Sequence, residues 1–222
     1  MKKKIAIFID WDNFRKELEA VTRYTKTPKE QFDFNKNYML IKLIRNFIDD
    51  SEELYRIFIY TAPPLKQNDI EKELIKRKIS EEDLNKVKEH YKQNKLKYDT
   101  IFNKAKDFID TIALEEYVAL RKGILKVGSV CDGKVTINQK QVDMLIGLDI
   151  AQLSYENRVD KIIVLSKDTD MKPAIKVARI NGIHTVIGCF EEYQAGIPRE
   201  LKEHVDTIRQ KSFVQFVQEI NK

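Results

Sequence analysis

Acidic residues occur in two Asp-x-Asp pairs, each at the end of an apolar run. Asp10 and Asp12 follow the run IAIFI, and Asp168 and Asp170 follow the run KIIVLS closely. Continuous apolar runs rich in β-branched residues predict buried strands of a parallel sheet. Because ligands of such sheets bind at the carboxyl ends of the strands, we expect both pairs to lie on the functional edge.

Asp143 adds a further carboxylate at the start of a predicted helix over residues 141–157, and a helix N-terminus favours negative charge. Carboxylates gathered at one edge repel one another, and without a cation some would have raised pKa values. Mg²⁺ and Mn²⁺ take oxygen ligands from carboxylates and water. An ion held in this way can activate water and stabilise charge on a phosphodiester. Single acids such as Asp132 and Asp160 are typical turn formers, and we assign them no function.

Asp149 shares a largely apolar helix face with Val142 and Leu145. A carboxylate on that face needs a partner. Two interpretations remain open: a buried group that positions another site residue, or an ordinary capping or turn contact to a neighbouring strand.

The elements that must position these acids are predicted from periodicity. Strand, helix and strand follow one another from residue 5 to residue 60, which indicates a βαβ unit. The order predicts a doubly wound α/β sandwich with a central, mainly parallel sheet in one domain over residues 1–222. Within it we expect a helical insert at about 65–123 and a C-terminal helix at about 212–222.

Smaller elements complete the prediction. The insert should contain helices near 68–78 and 102–121, with Ser80 as a possible N-cap between them. Asp132-Gly133 predicts a hairpin over residues 127–137. A strand over 161–166, a helix over 171–181 ended by Gly182, and a strand over 184–188 should follow.

Composition bounds the class of protein. The chain has 222 residues, of which 42% are hydrophobic and 34% charged, with a net charge of +5. This favours a folded core, and no apolar run is long enough for a membrane-spanning helix. The start MKKKIAIFI imitates a signal peptide but is too short, and two cysteines make neither a disulfide framework nor a four-ligand zinc site. We expect a soluble, cytoplasmic protein with no membrane partner.

Three segments together resemble a known family. FIDWDNF (8–14), KQVDMLIGLDI (140–150) and IIVLSKDTDM (162–171) are similar to the motifs of the NYN domain, in the LabA-like (DUF88) branch of the PIN-like nuclease superfamily. The similarity covers about residues 4–60 and 139–188. It implies a PIN-like fold and metal-dependent RNA cleavage.

The resemblance also implies roles for individual residues. Asp10, Asp143, Asp168 and Asp170 would be the catalytic residues and hold Mg²⁺ or Mn²⁺. The supporting residues would be Asn13, Ser166, Asp149 and Asp12. The sequence departs from the family at Trp11, Lys167 and Met171, where relatives often have a small residue, Gly and Phe.

The leading hypothesis is a divalent-metal-dependent ribonuclease that acts on single-stranded RNA, as an endonuclease in preference to an exonuclease. Lys140, Lys167 and Lys172 flank the acidic motifs and are candidates for phosphate contacts. Trp11 could stack a base or pack against the insert.

Two alternatives use the same residues differently. Lys167 could disable the metal site and leave an RNA-binding or protein-interaction module, with the insert as a docking site for a second copy or another protein. Asp10-x-Asp12 also resembles the start of a haloacid-dehalogenase-type phosphatase, although Phe14 departs from that pattern.

Overall fold

The computed structural model describes residues 2–192 and 196–222. Within these ranges the strands are β1 (Lys3–Asp10), β2 (Glu52–Thr61), β3 (Val118–Lys122), β4 (Ile124–Cys131), β5 (Lys134–Lys140), β6 (Lys161–Leu165), β7 (His184–Phe190) and β8 (Thr207–Lys211). The helices are α1 (Trp11–Tyr24), α2 (Asn37–Arg45), α3 (Gln67–Lys76), α4 (Glu81–Gln93), α5 (Lys95–Ile112), α6 (Val142–Tyr155), α7 (Lys172–Ile180), α8 (Arg199–Lys202) and α9 (Phe213–Ile220). A 3₁₀ turn, Thr169–Met171, precedes α7.

Six strands form one parallel sheet in the order β3-β2-β1-β6-β7-β8. In the sheet, β2 and β3 follow β1 on one side, and β6, β7 and β8 follow on the other side of β1. The direction of the connections therefore reverses between β1 and β6. In open α/β sheets, ligands bind in the crevice at the carboxyl ends of the two strands that flank this reversal. The predicted α/β fold with a parallel central sheet is confirmed.

Helices cover both faces of the sheet, and the alternation of side chains along β1 shows why. Ile5, Ile7 and Ile9 point into one core with residues of α1, α2 and α9, whereas Ala6 and Phe8 point into a second core with residues of α6 and α7. All five side chains are inaccessible to solvent. A strand buried on both faces must be apolar throughout, which explains the continuous run that begins the sequence.

The segment between β2 and β3, residues 62–117, is a crossover connection that contains α3, α4 and α5, and we call it the helical crossover. Ser80 caps α4 as predicted, since its Oγ accepts the N–H of Asp83 at 3.1 Å. The hairpin of β4 and β5 packs on α3 and α4 through a small core of Leu74, Val87 and Val127. Its turn is the predicted one, with positive φ angles at Asp132 and Gly133.

The helix predicted over residues 102–121 is wrong beyond Ile112, where α5 ends. Tyr117 has a φ of 64°, which no right-handed helix allows, and β3 then pairs with β2, with Val118 beside Ile57. The predicted insert therefore includes a strand of the central sheet. The five residues of β3 include no Gly or Pro that would mark the end of a helix. Their strand conformation is set by pairing with β2 rather than by the local sequence.

The sequence analysis did not predict α1, directly after Asp10, the 3₁₀ turn, the short helix α8 or the edge strand β8. The remaining predicted strands and helices are confirmed, including α2, α9 and the end of α7 at Gly182, which has a φ of 79°. Among the residues that the structure describes, no helix has the length and apolar character needed to cross a bilayer.

Two glycines should respond oppositely to alanine. A Cβ at Gly188 in β7 would lie 2.4 Å from Leu165 Cδ2 and 2.8 Å from Phe47 Cδ1. We expect Gly188→Ala to lower the free energy of unfolding by about 1–3 kcal/mol, because it overpacks the core. Urea denaturation followed by circular dichroism measures the change.

The matched control is Gly147→Ala in α6, where the new Cβ would meet no atom closer than 4.0 Å. Alanine costs less conformational entropy than glycine in a helix, so this variant should be more stable by about 0.5–1 kcal/mol. Equal stabilities for the two variants would contradict the packing described for β7.

Candidate metal centre

Asp10 is the last residue of β1 and the N-cap of α1. Its Oδ1 accepts the backbone N–H groups of Asp12 at 3.1 Å and Asn13 at 3.4 Å. The residue is only 5% exposed. Folding of β1 and α1 therefore fixes this carboxylate at the sheet edge without help from any ligand.

Asp168 lies in the turn after β6, the strand next to β1. Its N–H donates to Ser166 Oγ at 3.2 Å, and its Oδ1 accepts the N–H of Asp170 at 2.9 Å. Asn13 Oδ1 accepts the N–H of Lys167 at 3.1 Å, which joins the turn after β1 to the turn after β6. Asn13 and Ser166 thus each accept a backbone N–H of the turn after β6.

Asp143 lies in the first turn of α6. The chain enters this helix from β5 through Gln141, which has a φ of 74°. The turn brings the start of α6 to the same edge of the sheet as the ends of β1 and β6. The charge of Lys140 favours the ionised form of Asp143.

One carboxylate oxygen from each of Asp10, Asp143 and Asp168 lies within 4.8 Å of the other two, and we call these residues the acid cluster. The donor set consists entirely of oxygen, the ligand atom that Mg²⁺, Mn²⁺ and Ca²⁺ prefer. Two of the three side chains are at least partly accessible to solvent, so water could complete a coordination shell. The residues present therefore fit a hard divalent cation.

The electrostatics of the acid cluster point the same way. Burial is the main reason that the pKa of Asp10 is raised to about 6; the charges of Asp12, Asp143 and Asp168 contribute to this rise, and the hydrogen bond from the backbone of Asn13 opposes it. Burial also raises the pKa of Asp143, followed by the charges of Asp168 and Asp170. Negative charge is thus held at this edge at an energetic cost that a bound cation would remove.

The structure places two of the other predicted acids beside the acid cluster. Asp170 is exposed at its rim, close enough to raise the pKa of Asp143 but outside the group of three. Asp12 is close enough to raise the pKa of Asp10.

Asp149 makes contacts that match the second of its two interpretations. Its Oδ2 accepts the Tyr60 hydroxyl at 2.7 Å and Arg121 Nε at 2.9 Å. These partners belong to β2 and β3, so Asp149 attaches α6 to the neighbouring strands. None of its hydrogen bonds in the described part of the chain reaches the acid cluster.

The predicted RNA-contacting residues have different surroundings. Lys140 is exposed, whereas Lys172 is paired with Glu200 of α8. Trp11 is 7% exposed and stacks on Phe108 of α5, with ring centroids 4.1 Å apart. The structure therefore shows Trp11 packed against the helical crossover, the second of its two predicted roles.

The ammonium group of Lys167 pairs with Glu17 of α1. Nζ lies 2.8 Å from Glu17 Oε1, and the side chains are 13% and 5% exposed. Burial raises the pKa of Glu17, and Lys167 opposes that shift. Sequence reasoning missed Glu17, although it shares a helix face with Phe14, Leu18 and Val21, where an acid requires a partner.

The acid cluster lies at the carboxyl edge of a doubly wound parallel sheet, at the strands where the direction of the connections reverses, and this places the protein among α/β proteins with a candidate ligand site at that edge. Residues 4–210 match the profile of the NYN domain, and the chain belongs to this family. Comparison with curated proteins gave no match, and comparison with solved structures gave none. Membership implies a PIN-like ribonuclease with RNA as its substrate.

Replacing Asp10 by Asn should stabilise the metal-free protein. The pKa of Asp10 is about 6 in the folded protein and 3.8 in the unfolded chain, so the folded state binds the proton more tightly. The folded state therefore loses stability as the pH rises from about 4 to 6. At pH 7.5 this costs roughly 3 kcal/mol. Asp10→Asn keeps an oxygen for the N-cap and should raise the melting temperature by on the order of 5–10 °C in EDTA.

The same variant should respond weakly to metal. Mn²⁺ should raise the melting temperature of the wild type, and less so below pH 6, because binding requires the ionised carboxylates. Asp132→Asn removes the same charge from the distant hairpin turn and should behave as wild type. An equal Mn²⁺-induced shift in Asp10→Asn and wild type would contradict the assignment of Asp10 to a metal site.

Removing one partner of the buried Lys167–Glu17 pair should be costly. Glu17→Gln takes away the countercharge of a largely buried ammonium group, and we expect it to lose about 3–5 kcal/mol of unfolding free energy. The double variant Glu17→Gln/Lys167→Met removes both charges and should recover much of that loss. Chemical denaturation of the two variants checks this, and an equally unstable double variant would argue against the pair as the cause.

Proposed function

We propose that this chain is a divalent-metal-dependent ribonuclease of the LabA-like branch of NYN proteins, which hydrolyses phosphodiester bonds of single-stranded RNA. The observation that supports this most is the acid cluster, whose three carboxylate oxygens lie within 4.8 Å of one another at the edge where such folds bind ligands.

The residues that would hold Mg²⁺ or Mn²⁺ are Asp10, Asp143 and Asp168, with Asp170 at the rim as a further contributor. When bound, the ion would lower the pKa of a water molecule and stabilise charge on the phosphate. The protein supplies the rest. Asn13 and Ser166 hold the two acidic turns in register, and Asp10 is oriented by its N-cap hydrogen bonds.

Lys140 is the basic residue best placed to contact the RNA phosphate next to the acid cluster. It is exposed, and its charge already acts on Asp143. Such contacts release counterions, so RNA affinity should fall steeply with salt.

The pairing of Lys167 favours an active enzyme over a non-catalytic module. The departure from glycine at this position raised the question of whether an ammonium group would replace the metal. In the structure that group is paired with Glu17, and Lys140 is a cation whose charge favours the ionised form of Asp143. Among the described residues, no contact of Asp10 or Asp12 favours the haloacid-dehalogenase alternative. Membership of the NYN family favours a ribonuclease instead.

Cleavage of end-labelled single-stranded RNA by the purified protein tests the proposal. We expect cutting with Mn²⁺ or Mg²⁺ and none in EDTA, with internal fragments if the action is endonucleolytic. Asp168→Asn should reduce the rate by roughly 100-fold or more, because the ion supplies several kcal/mol of charge stabilisation. Asp170→Asn should cost less, since Asp170 lies outside the group of three.

The matched control is Asp160→Asn. Asp160 precedes β6 at the opposite end of the sheet and accepts the N–H of Lys4 at 2.7 Å. Asparagine can keep that hydrogen bond, so this variant should cleave as wild type does. Cleavage that persists in EDTA, or that is undiminished in folded Asp168→Asn, would overturn the assignment of the site.

A further inference from the structure

A cavity of about 510 Å³ lies between the helical crossover and the β4–β5 hairpin. Its walls come from α3, α4 and α5 on one side and from Leu125, Val135 and Ile137 of the hairpin on the other. This volume is typical of small-molecule sites and exceeds what one nucleotide base requires. None of the residues of the acid cluster lines it.

The chemistry of the walls suits a flat, uncharged heterocycle. Tyr91, Tyr98 and Phe102 supply aromatic rings, and the two tyrosine rings are 5.7 Å apart at an angle of 24°. Polar atoms are interspersed among them. The Tyr98 hydroxyl lies 3.0 Å from His90 Nε2, and the Tyr91 hydroxyl donates to Asp99 at 2.6 Å. A phosphate would find one carboxylate and few cations there, so the occupant should be the neutral part of a nucleotide.

The cavity lies next to the carboxyl ends of β2 and β3, at the same edge of the sheet as the acid cluster. Pro64 and Leu65 follow the carboxyl end of β2, and Leu125 follows the carboxyl end of β3. Ile137 lies six residues before Asp143, so the chain between them can span at most about 22 Å. A short single strand could therefore reach both places.

The excess basic charge of the chain is concentrated in the segment that contains the hairpin. Residues 118–140 contain five Lys and Arg against one acid, an excess of four in a chain whose net charge is +5. Lys122, Lys126, Lys134 and Lys140 in this stretch are all exposed. The helical crossover itself is balanced, with twelve basic and twelve acidic residues over 62–117. Positive charge thus follows the hairpin that forms one wall of the cavity and leads into α6.

We propose that this cavity binds one unpaired base of the RNA strand whose scissile phosphate lies at the acid cluster, and that the hairpin lysines contact the phosphates between them. The inference rests on the proposed function for its substrate and extends it to a second contact point. It assigns the helical crossover a direct part in substrate binding.

Binding of fluorescein-labelled ten-nucleotide RNAs, measured by anisotropy in EDTA, tests this without cleavage. Ile101 of α5 lines the cavity and is 55% exposed, so Ile101→Glu should fold and should weaken binding by about 10-fold. Leu96→Glu is the matched control. It adds the same charge to the same helix at a residue that is 84% exposed and outside the cavity, so it should change affinity by less than about 2-fold.

A scan in which the RNA is altered and the protein is wild type does not depend on the folding of any variant. A single abasic nucleotide moved along the RNA should weaken binding at one position much more than at its neighbours. A uniform scan, or equal affinities for the two glutamate variants, would overturn the proposal. So would a change of oligomeric state in Ile101→Glu with unchanged RNA affinity, which would make the cavity an interface between copies.

These outcomes are separate from those of the proposed function. Cavity-dependent binding by a protein that does not cut RNA would remove the nuclease and keep the base site. Metal-dependent cutting with a uniform abasic scan would keep the nuclease and remove the base site.

Discussion

Mutual repulsion among Asp10, Asp143 and Asp168 is the constraint on which the organisation of this molecule depends. Their oxygens lie within 4.8 Å of one another, and burial raises the pKa of Asp10 to about 6. Such an arrangement persists only if rigid elements impose it. Here the elements are a strand without solvent exposure on either face, the adjacent β6, and a helix that starts after a left-handed residue. The sheet supplies stability elsewhere so that three like charges can stay close.

The contacts around the acid cluster mostly join separate elements rather than neighbours in sequence. Asn13 joins the turns after β1 and β6, Glu17 pairs with Lys167 across the same junction, and Asp149 attaches α6 to β2 and β3. Each is a hydrogen-bonded or ionic contact of a partly or wholly buried group, which would be costly if left unsatisfied. The two acidic turns and the start of α6 are thereby held as one unit.

Sequence reasoning predicted what local pattern determines. The apolar runs predicted β1 and β6, the acids that follow these runs include Asp10 and Asp168, and the predicted start of a helix drew attention to Asp143. It failed where contacts between residues far apart in the sequence determine the structure. VALRK becomes β3 only beside β2, and the partner of Lys167 is 150 residues away in the sequence. The helix α1 was missed although Trp11, Phe14, Leu18 and Val21 have helical spacing, because the motif residues at its start read equally well as a loop.

The helical crossover leaves the central sheet at β2 and returns to it at β3, so it is continuous with the scaffold at both ends. It is therefore not a separable module. Excision of residues 65–123 would also delete the terminal strand and leave the backbone groups of β2 unpaired along an apolar edge, which invites self-association. A shortened segment would still have to keep the covering strand β3, so length can change only between Ala62 and Tyr117. The architecture thus allows the helical crossover to change in length and surface while the edge that carries the acid cluster stays unchanged.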